Sequence, residues 1–266
     1  MLRKQYYLLL LGLTPLLGAF SAWGNCHQVC ILVHGTWATN ADWHQPGGEF
    51  YEMLKAQLAM EEIALVDFNW CGALSHTQRQ KAAIRLAELI KSYPPWVQFI
   101  LVTHSHGGNV GILASQILKR AGCINAFFAL GTPIEPEIYH PNLAIINSFY
   151  NLFSFGDLYQ TVLGFHKRTL PFMPGIYNIS IEINDARPQH EQLHNETIAK
   201  WLLQLPAAIK KSKADGSQPL LAKFSQYLPP ELGIDLDFDL KTQYDCYINK
   251  VIRKKLLRKH MFIPQY

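Results

Sequence analysis

The chain has 266 residues, 49% of them hydrophobic and 17% charged, with a formal net charge of +4. That length suits one α/β domain, or one domain with an appendage, and that balance of apolar and charged residues excludes a disordered chain. The charge is unevenly spread: Lys250 to His260 carries six Lys or Arg and no acid, and without these, Arg3 and Lys4, 16 basic residues remain against 20 acidic ones, so no nucleic-acid interface is expected.

The chain opens on Arg3 and Lys4, runs through almost uninterrupted apolar sequence from Tyr6 to Phe20, and reaches Ala22-Trp23-Gly24. This is the three-part layout of a secretory signal peptide over residues 1–24, and it points to an exported protein: periplasmic, outer-envelope or secreted. The apolar run falls short of the roughly 20 residues of a membrane span, which is the competing reading. Of the five cysteines (Cys26, Cys30, Cys71, Cys123 and Cys246), no pair has C-x-x-C spacing, so no metal site is expected. Cys30 and Cys123 lie in apolar sequence and read as buried thiols.

Apolar runs then alternate with helical patterns. "VCILVHG" (29–35) reads as a buried strand, "EFYEMLKAQLAM" (49–60) as a helix and "IALVDFNW" (63–70) as a second strand. A long amphipathic helix over 76–93 stops at Pro94-Pro95, and a third strand covers 97–105. A helix over 107–122 follows, then a fourth strand over 124–133 and a fifth over about 144–149. A sixth strand over 175–184 precedes an amphipathic helix over 195–210. Such alternation specifies an α/β fold: a mostly parallel sheet flanked by helices on both faces. The polar linker "KSKADGSQP" changes the register, so the domain reads as 25–210, with 211–266 a C-terminal helical appendage and basic extension. Its run 250–260 reads either as the solvated face of a terminal helix or as a contact for anionic membrane.

"ILVTHSHGGNVGILA" (100–114) puts Ser105 between two histidines where strand gives way to helix. An ordinary helix N-cap is one reading. The other is a nucleophile elbow, in which a sharp strand–turn–helix exposes the serine hydroxyl and demands small neighbours. Ligands of parallel α/β sheets bind beyond the carboxyl ends of the strands, which is where Ser105 falls.

"THSHGG" resembles the G-H-S-x-G-G elbow of the α/β-hydrolase superfamily, in its bacterial lipase and esterase branch. "LVHGTW" (32–37) resembles that branch's His-Gly strand end, and "LGTP" (130–133) the strand end one βα unit after the elbow helix. The resemblance covers roughly residues 29 to 205. Thr103 departs from it, since a glycine is more usual there and a β-branched residue crowds the elbow. The resemblance implies the α/β-hydrolase fold and a triad in the order Ser, acid, His, with no cofactor. Ser105 is then the nucleophile and Asp157 the acid, with Glu135 and Glu137 as fallbacks. His190 is the base, and His194 the alternative. The backbone N–H groups of Thr36 and His106 would form the oxyanion hole. His34 and His104 read as structural.

The stretch 158–174 is apolar and irregular, and with Trp37 and Trp43 it offers walls for an acyl chain. The short interval after "LGTP" leaves no room for a large lid domain. The expected function is hydrolysis of carboxylic esters, with acyl-lipid esters as the substrate class. An acyltransferase on the same machinery and a non-catalytic binding protein on this scaffold are the alternatives.

Overall fold

The computed structural model describes residues 27–160 and 167–235. Segments 1–24 and 250–260, read above as leader and basic run, lie outside them. Eight strands make one sheet: β1 Gln28–Val33, β2 Ala64–Phe68, β3 Gln98–His104, β4 Ile124–Leu130, β5 Ile146–Phe153, β6 Ile176–Ile183, β7 Leu220–Phe224 and β8 Glu231–Ile234. Their spatial order is β2-β1-β3-β4-β5-β6-β7-β8, parallel throughout except for the antiparallel β8 at the edge. This is a mostly parallel α/β sheet with apolar clusters on both of its faces.

The central strands are apolar on both faces because both faces are covered. Val29, Ile31, Val33, Phe99, Leu101, Phe127 and Phe149 point one way, into α2 (His76–Ser92) and α3 (His106–Ile117). Cys30, Leu32, Ile100, Val102, Phe128 and Leu152 point the other way. They meet α1 (Glu49–Met60), α4 (Glu196–Trp201) and α5 (Leu205–Ser212). The strict alternation of the two sets along β1 and β3 is the period of two that a pleated strand imposes. Cys30 and Cys123 are buried free thiols, and burial pushes the Cys30 thiol well up.

Three sequence expectations shift. The helix expected over 107–122 ends at Ile117, because Leu118 is already extended and Gly122 belongs to the turn into β4. The helix expected over 195–210 breaks at a 3-10 turn, Leu202–Gln204, and restarts with Pro206 in the first turn of α5, where a missing N–H costs nothing. The expected domain limit at residue 210 and the helical appendage after it are corrected through residue 235. β7 buries Leu220, Ala222 and Phe224 against the α1/α4 face, while Lys223 points outward and lies 3.1 Å from Asp185. The alternation in "LLAKF" was the signal of a strand, masked by its short length and its polar flanks.

Chain order and spatial order part company once. From β1 the chain steps to β2 on one side and then crosses to β3 on the other. Such a switch point opens a crevice at the carboxyl ends of β1 and β3. The registers Val33↔Thr103 and His104↔Leu130 bring the residues after β1, β3 and β4 side by side at that crevice.

Candidate active site

Ser105 sits between β3 and α3 with φ 53° and ψ −132°, a backbone conformation that L-residues rarely adopt. Its surroundings hold it there. The Ser105 N–H donates to the Leu130 carbonyl (2.8 Å), and the Ser105 carbonyl accepts from the Gly108 N–H (3.0 Å). A Cβ on Gly35 would lie 2.8 Å from the Ser105 Cβ, and one on Gly107 would lie 2.3 Å from the Val33 carbonyl oxygen. Only glycine lets the end of β1 and the first turn of α3 approach so closely. Thr103 does not crowd the turn, because it is still in β3, fully buried, with its hydroxyl donating to the Phe128 carbonyl at 3.1 Å.

β5 runs further than expected, to Phe153, and the turn after it presents Asp157, which is fully buried. Its Oδ1 accepts the N–H groups of Tyr159 (2.9 Å) and Gln160 (3.3 Å). Arg168 reaches back to donate to the Asp157 carbonyl at 3.0 Å, and burial lowers the Arg168 pKa to about 10, opposed by the Asp157 charge. The Arg168 carbonyl in turn accepts from Asn151 on β5, which also donates to Asn178 on β6. The acid therefore stands on a buried polar network between two strands.

Asp157 Oδ2 lies 2.7 Å from His190 Nδ1. The couple forms over Gly131, at φ 60°, where a Cβ would stand 3.2 Å from each of those two atoms. His190 opens a 3-10 turn, His190–His194, whose start is closed by a reciprocal Gln189–Gln192 capping box. His194, the alternative base, has no carboxylate partner among the described residues; it stacks on Trp43 at 4.9 Å and meets the His104 ring edge-on. Asn195, beside it, caps α4 through the Ile198 N–H. Asp157, and not Glu135 or Glu137, is the carboxylate that His190 meets.

His104, one residue before the serine, is buried, lies 4.6 Å from the His190 ring and donates through Nε2 to the His190 carbonyl. It links the elbow to the His190 turn. Ser105 Oγ itself makes no hydrogen bond among the described residues, to His190 or to any other group. In substrate-free sites such contacts are often long and tighten on binding. His34 is also structural: its Nδ1 lies 2.8 Å from the Gly35 carbonyl oxygen, and its Nε2 lies 3.0 Å from Asn69 Oδ1, 3.1 Å from the Trp70 carbonyl oxygen and 3.2 Å from the Trp70 nitrogen. Among the described residues no cluster of His, Cys, Asp or Glu could hold a metal ion.

Burial pushes the His194 pKa down to about 4 and that of His104 well below the ordinary histidine range, and the neighbouring His190 adds to the lowering in both. Such groups take up a proton on unfolding at pH values between their folded and unfolded pKa. Stability is therefore full above about pH 6.5 and falls as the pH drops towards 4. His194 alone contributes roughly 3 kcal/mol to that slope. His194→Gln is expected to flatten the dependence of Tm on pH between 7 and 4.5, as followed by calorimetry. A slope equal to the wild type's would contradict it.

No known family's sequence pattern matches the chain, and no curated protein matches it. Solved structures do. A lidless α/β serine hydrolase from Xanthomonas campestris is 16% identical, over 70% of this chain and 80% of that one, with a TM-score of 0.44. An α/β-superfamily hydrolase from the same species is 12% identical, over 84% of this chain and 98% of that one, with a TM-score of 0.37. A cutinase-like protein from Cryptococcus is 20% identical with a TM-score of 0.31; that match covers 41% of this chain and 55% of the cutinase-like protein.

Proposed function

We propose that the protein is a serine hydrolase of carboxylic esters, acting on acyl-lipid esters through an acyl-enzyme on Ser105. The observation that carries this reading is the buried Asp157–His190 couple beside a serine held in a strained strand-to-helix turn. A serine hydroxyl is a weak nucleophile at its own pKa and needs a base, which needs a group to orient it. With Asp157 accepting the Nδ1 proton, His190 keeps a lone pair on Nε2. In the reaction Ser105 Oγ bonds to the acyl carbon and its proton passes to His190 Nε2. The carbonyl π pair moves onto oxygen, facing the N–H groups of Thr36 and His106. Collapse expels the alcohol, which leaves with that proton, and water repeats the sequence to release the acid.

A lipid ester is supported by the rim. Trp37, Leu74, Ile138, Leu158 and Tyr159 are exposed on the loops that leave the carboxyl ends of β1, β2, β4 and β5. Trp37 is 81% exposed although its backbone is left-handed at φ 57°. Strain maintained to hold a tryptophan in water marks a residue kept for contact. Export through 1–24 and contact with anionic membrane through 250–260 belong to the same proposal.

The test is labelling with a fluorophosphonate, mapped by mass spectrometry, beside a panel of p-nitrophenyl esters. A single adduct on Ser105 and turnover that rises with chain length are expected; an unlabelled protein would sink the reading. Trp37→Gly keeps the loop's backbone but removes the ring. It is expected to lower the ratio of long-chain to short-chain kcat/KM by about 5- to 20-fold, the worth of one large apolar contact.

A further inference from the structure

The fold holds a second histidine–carboxylate couple that the proposed chemistry does not use. His44, fully buried in the 3-10 turn Asp42–His44, sets Nδ1 2.8 Å from Asp67 Oδ1 on β2 and Nε2 2.8 Å from the Ala38 carbonyl oxygen. Asp67 keeps 23% of its side chain in solvent. Both partners of the ring are oxygens, a carboxylate and a carbonyl, so both ring nitrogens are engaged and neither is open to serve as a base.

The ring instead touches what surrounds the Thr36 amide. It stacks on His34 at 4.8 Å, and His34 Nδ1–H donates to the Gly35 carbonyl at 2.8 Å. A trans peptide sets the next N–H opposite its carbonyl, so that bond turns the Thr36 N–H to the side away from His34. On the far side of Thr36, the Trp37 N–H is tied to the Gly72 carbonyl and the Ala38 carbonyl to His44. The amide is thus gripped before and after, and His44 takes part in both grips.

We propose that the hydrogen-bonded His44–Asp67 pair is a positioning device that fixes the Thr36 amide as an oxyanion donor before substrate arrives, a role that rests on the hydrolase reading above. Asp67 locks the ring's orientation, as a carboxylate behind a histidine commonly does. Donors fixed in advance need no reorganisation as charge develops on the substrate oxygen. A loosened donor should therefore slow the chemical step and leave ground-state binding alone.

The experiment compares wild type with Asp67→Ala and Asp67→Asn on a soluble short-chain ester. It also measures the rate of fluorophosphonate labelling. Asp67→Ala is expected to lower kcat by about 10- to 100-fold, somewhat less than outright loss of an oxyanion donor, with KM within about twofold. Asp67→Asn should restore most of kcat. Its amide can donate to Nδ1 while Nε2–H still donates to the Ala38 carbonyl, so the geometry survives the loss of the carboxylate. A KM that rises with the fall in kcat, or Asp67→Ala labelling at the wild-type rate, would each overturn the positioning role. A wild-type protein that takes no label would bring down the hydrolase reading itself, and this role with it.

Discussion

Ser105→Ala is expected to reduce kcat on p-nitrophenyl butyrate by about 10⁶-fold, the loss that removal of a triad nucleophile brings, and to end labelling by fluorophosphonates. Ser105→Gly should be just as inactive yet more stable than either. At φ 53° and ψ −132° any residue with a Cβ is strained, by about 1 to 3 kcal/mol. Glycine relieves that strain and gives back about 0.5 to 1 kcal/mol through the greater freedom of its unfolded chain. The net gain is about 1 kcal/mol, or a Tm higher by about 2 to 4 °C. Calorimetry on the three proteins decides it. A glycine variant less stable than the alanine variant would mean that the elbow is not strained. Labelling that survives in either would remove Ser105 from the chemistry.

That strain was legible in the sequence only as a pattern. "THSHGG" contains the two small residues the turn demands, and the registers of β1 with β3 and β3 with β4 show why Gly35 and Gly131 are needed beside it. The parallel core was legible because strands buried on both faces are continuously apolar there, as "VCILV" and "AFFAL" are. Asp157 was legible from its place after an apolar run. The choice between His190 and His194 was not, since four residues in one loop differ in what they face, and facing is a tertiary property. β7 and β8 were missed because strands of five and four residues carry little periodicity. The His44–Asp67 pair left one trace, an acid inside the apolar run "IALVDFNW". An acid in a strand that ends at a sheet's carboxyl edge asks for a partner, and nothing in the sequence said that a loop histidine 23 residues earlier would supply it.

Five histidines stack or meet edge-on around Trp43 and one another: His34, His44, His104, His190 and His194. Of these, only His190 sets a ring nitrogen on a fully buried carboxylate, that of Asp157. His34 and His104 each spend a ring nitrogen on a backbone carbonyl, His44 spends both nitrogens on acceptors, and His194 is held neutral by burial. Several imidazoles in one crevice would compete for the same proton if their environments were alike. Here burial and hydrogen bonding separate them, and the carboxylate falls to His190.

The sharpest consequence is for Asp157. Asp157→Asn is nearly isosteric, and its carbonyl oxygen can take over the two bonds that Oδ1 accepts from the N–H groups of Tyr159 and Gln160. The amide nitrogen then replaces Oδ2, 2.7 Å from His190 Nδ1, and donates where the carboxylate accepted. His190 is forced into the tautomer with its proton on Nε2, the nitrogen that must take the proton of Ser105. The serine loses its base while the pocket keeps its shape. The expected result is a kcat lower by about 10⁴-fold, or about 5.5 kcal/mol of lost transition-state stabilisation, with KM little changed because Asp157 is buried away from substrate. His194→Gln, assayed beside it, should stay within about tenfold of wild type, the cost of a disturbed pocket wall. Steady-state kinetics on a short-chain ester test both. If the asparagine variant kept a tenth of wild-type kcat, or if the glutamine variant fell as far as the asparagine one, the division of labour between the two histidines would be wrong.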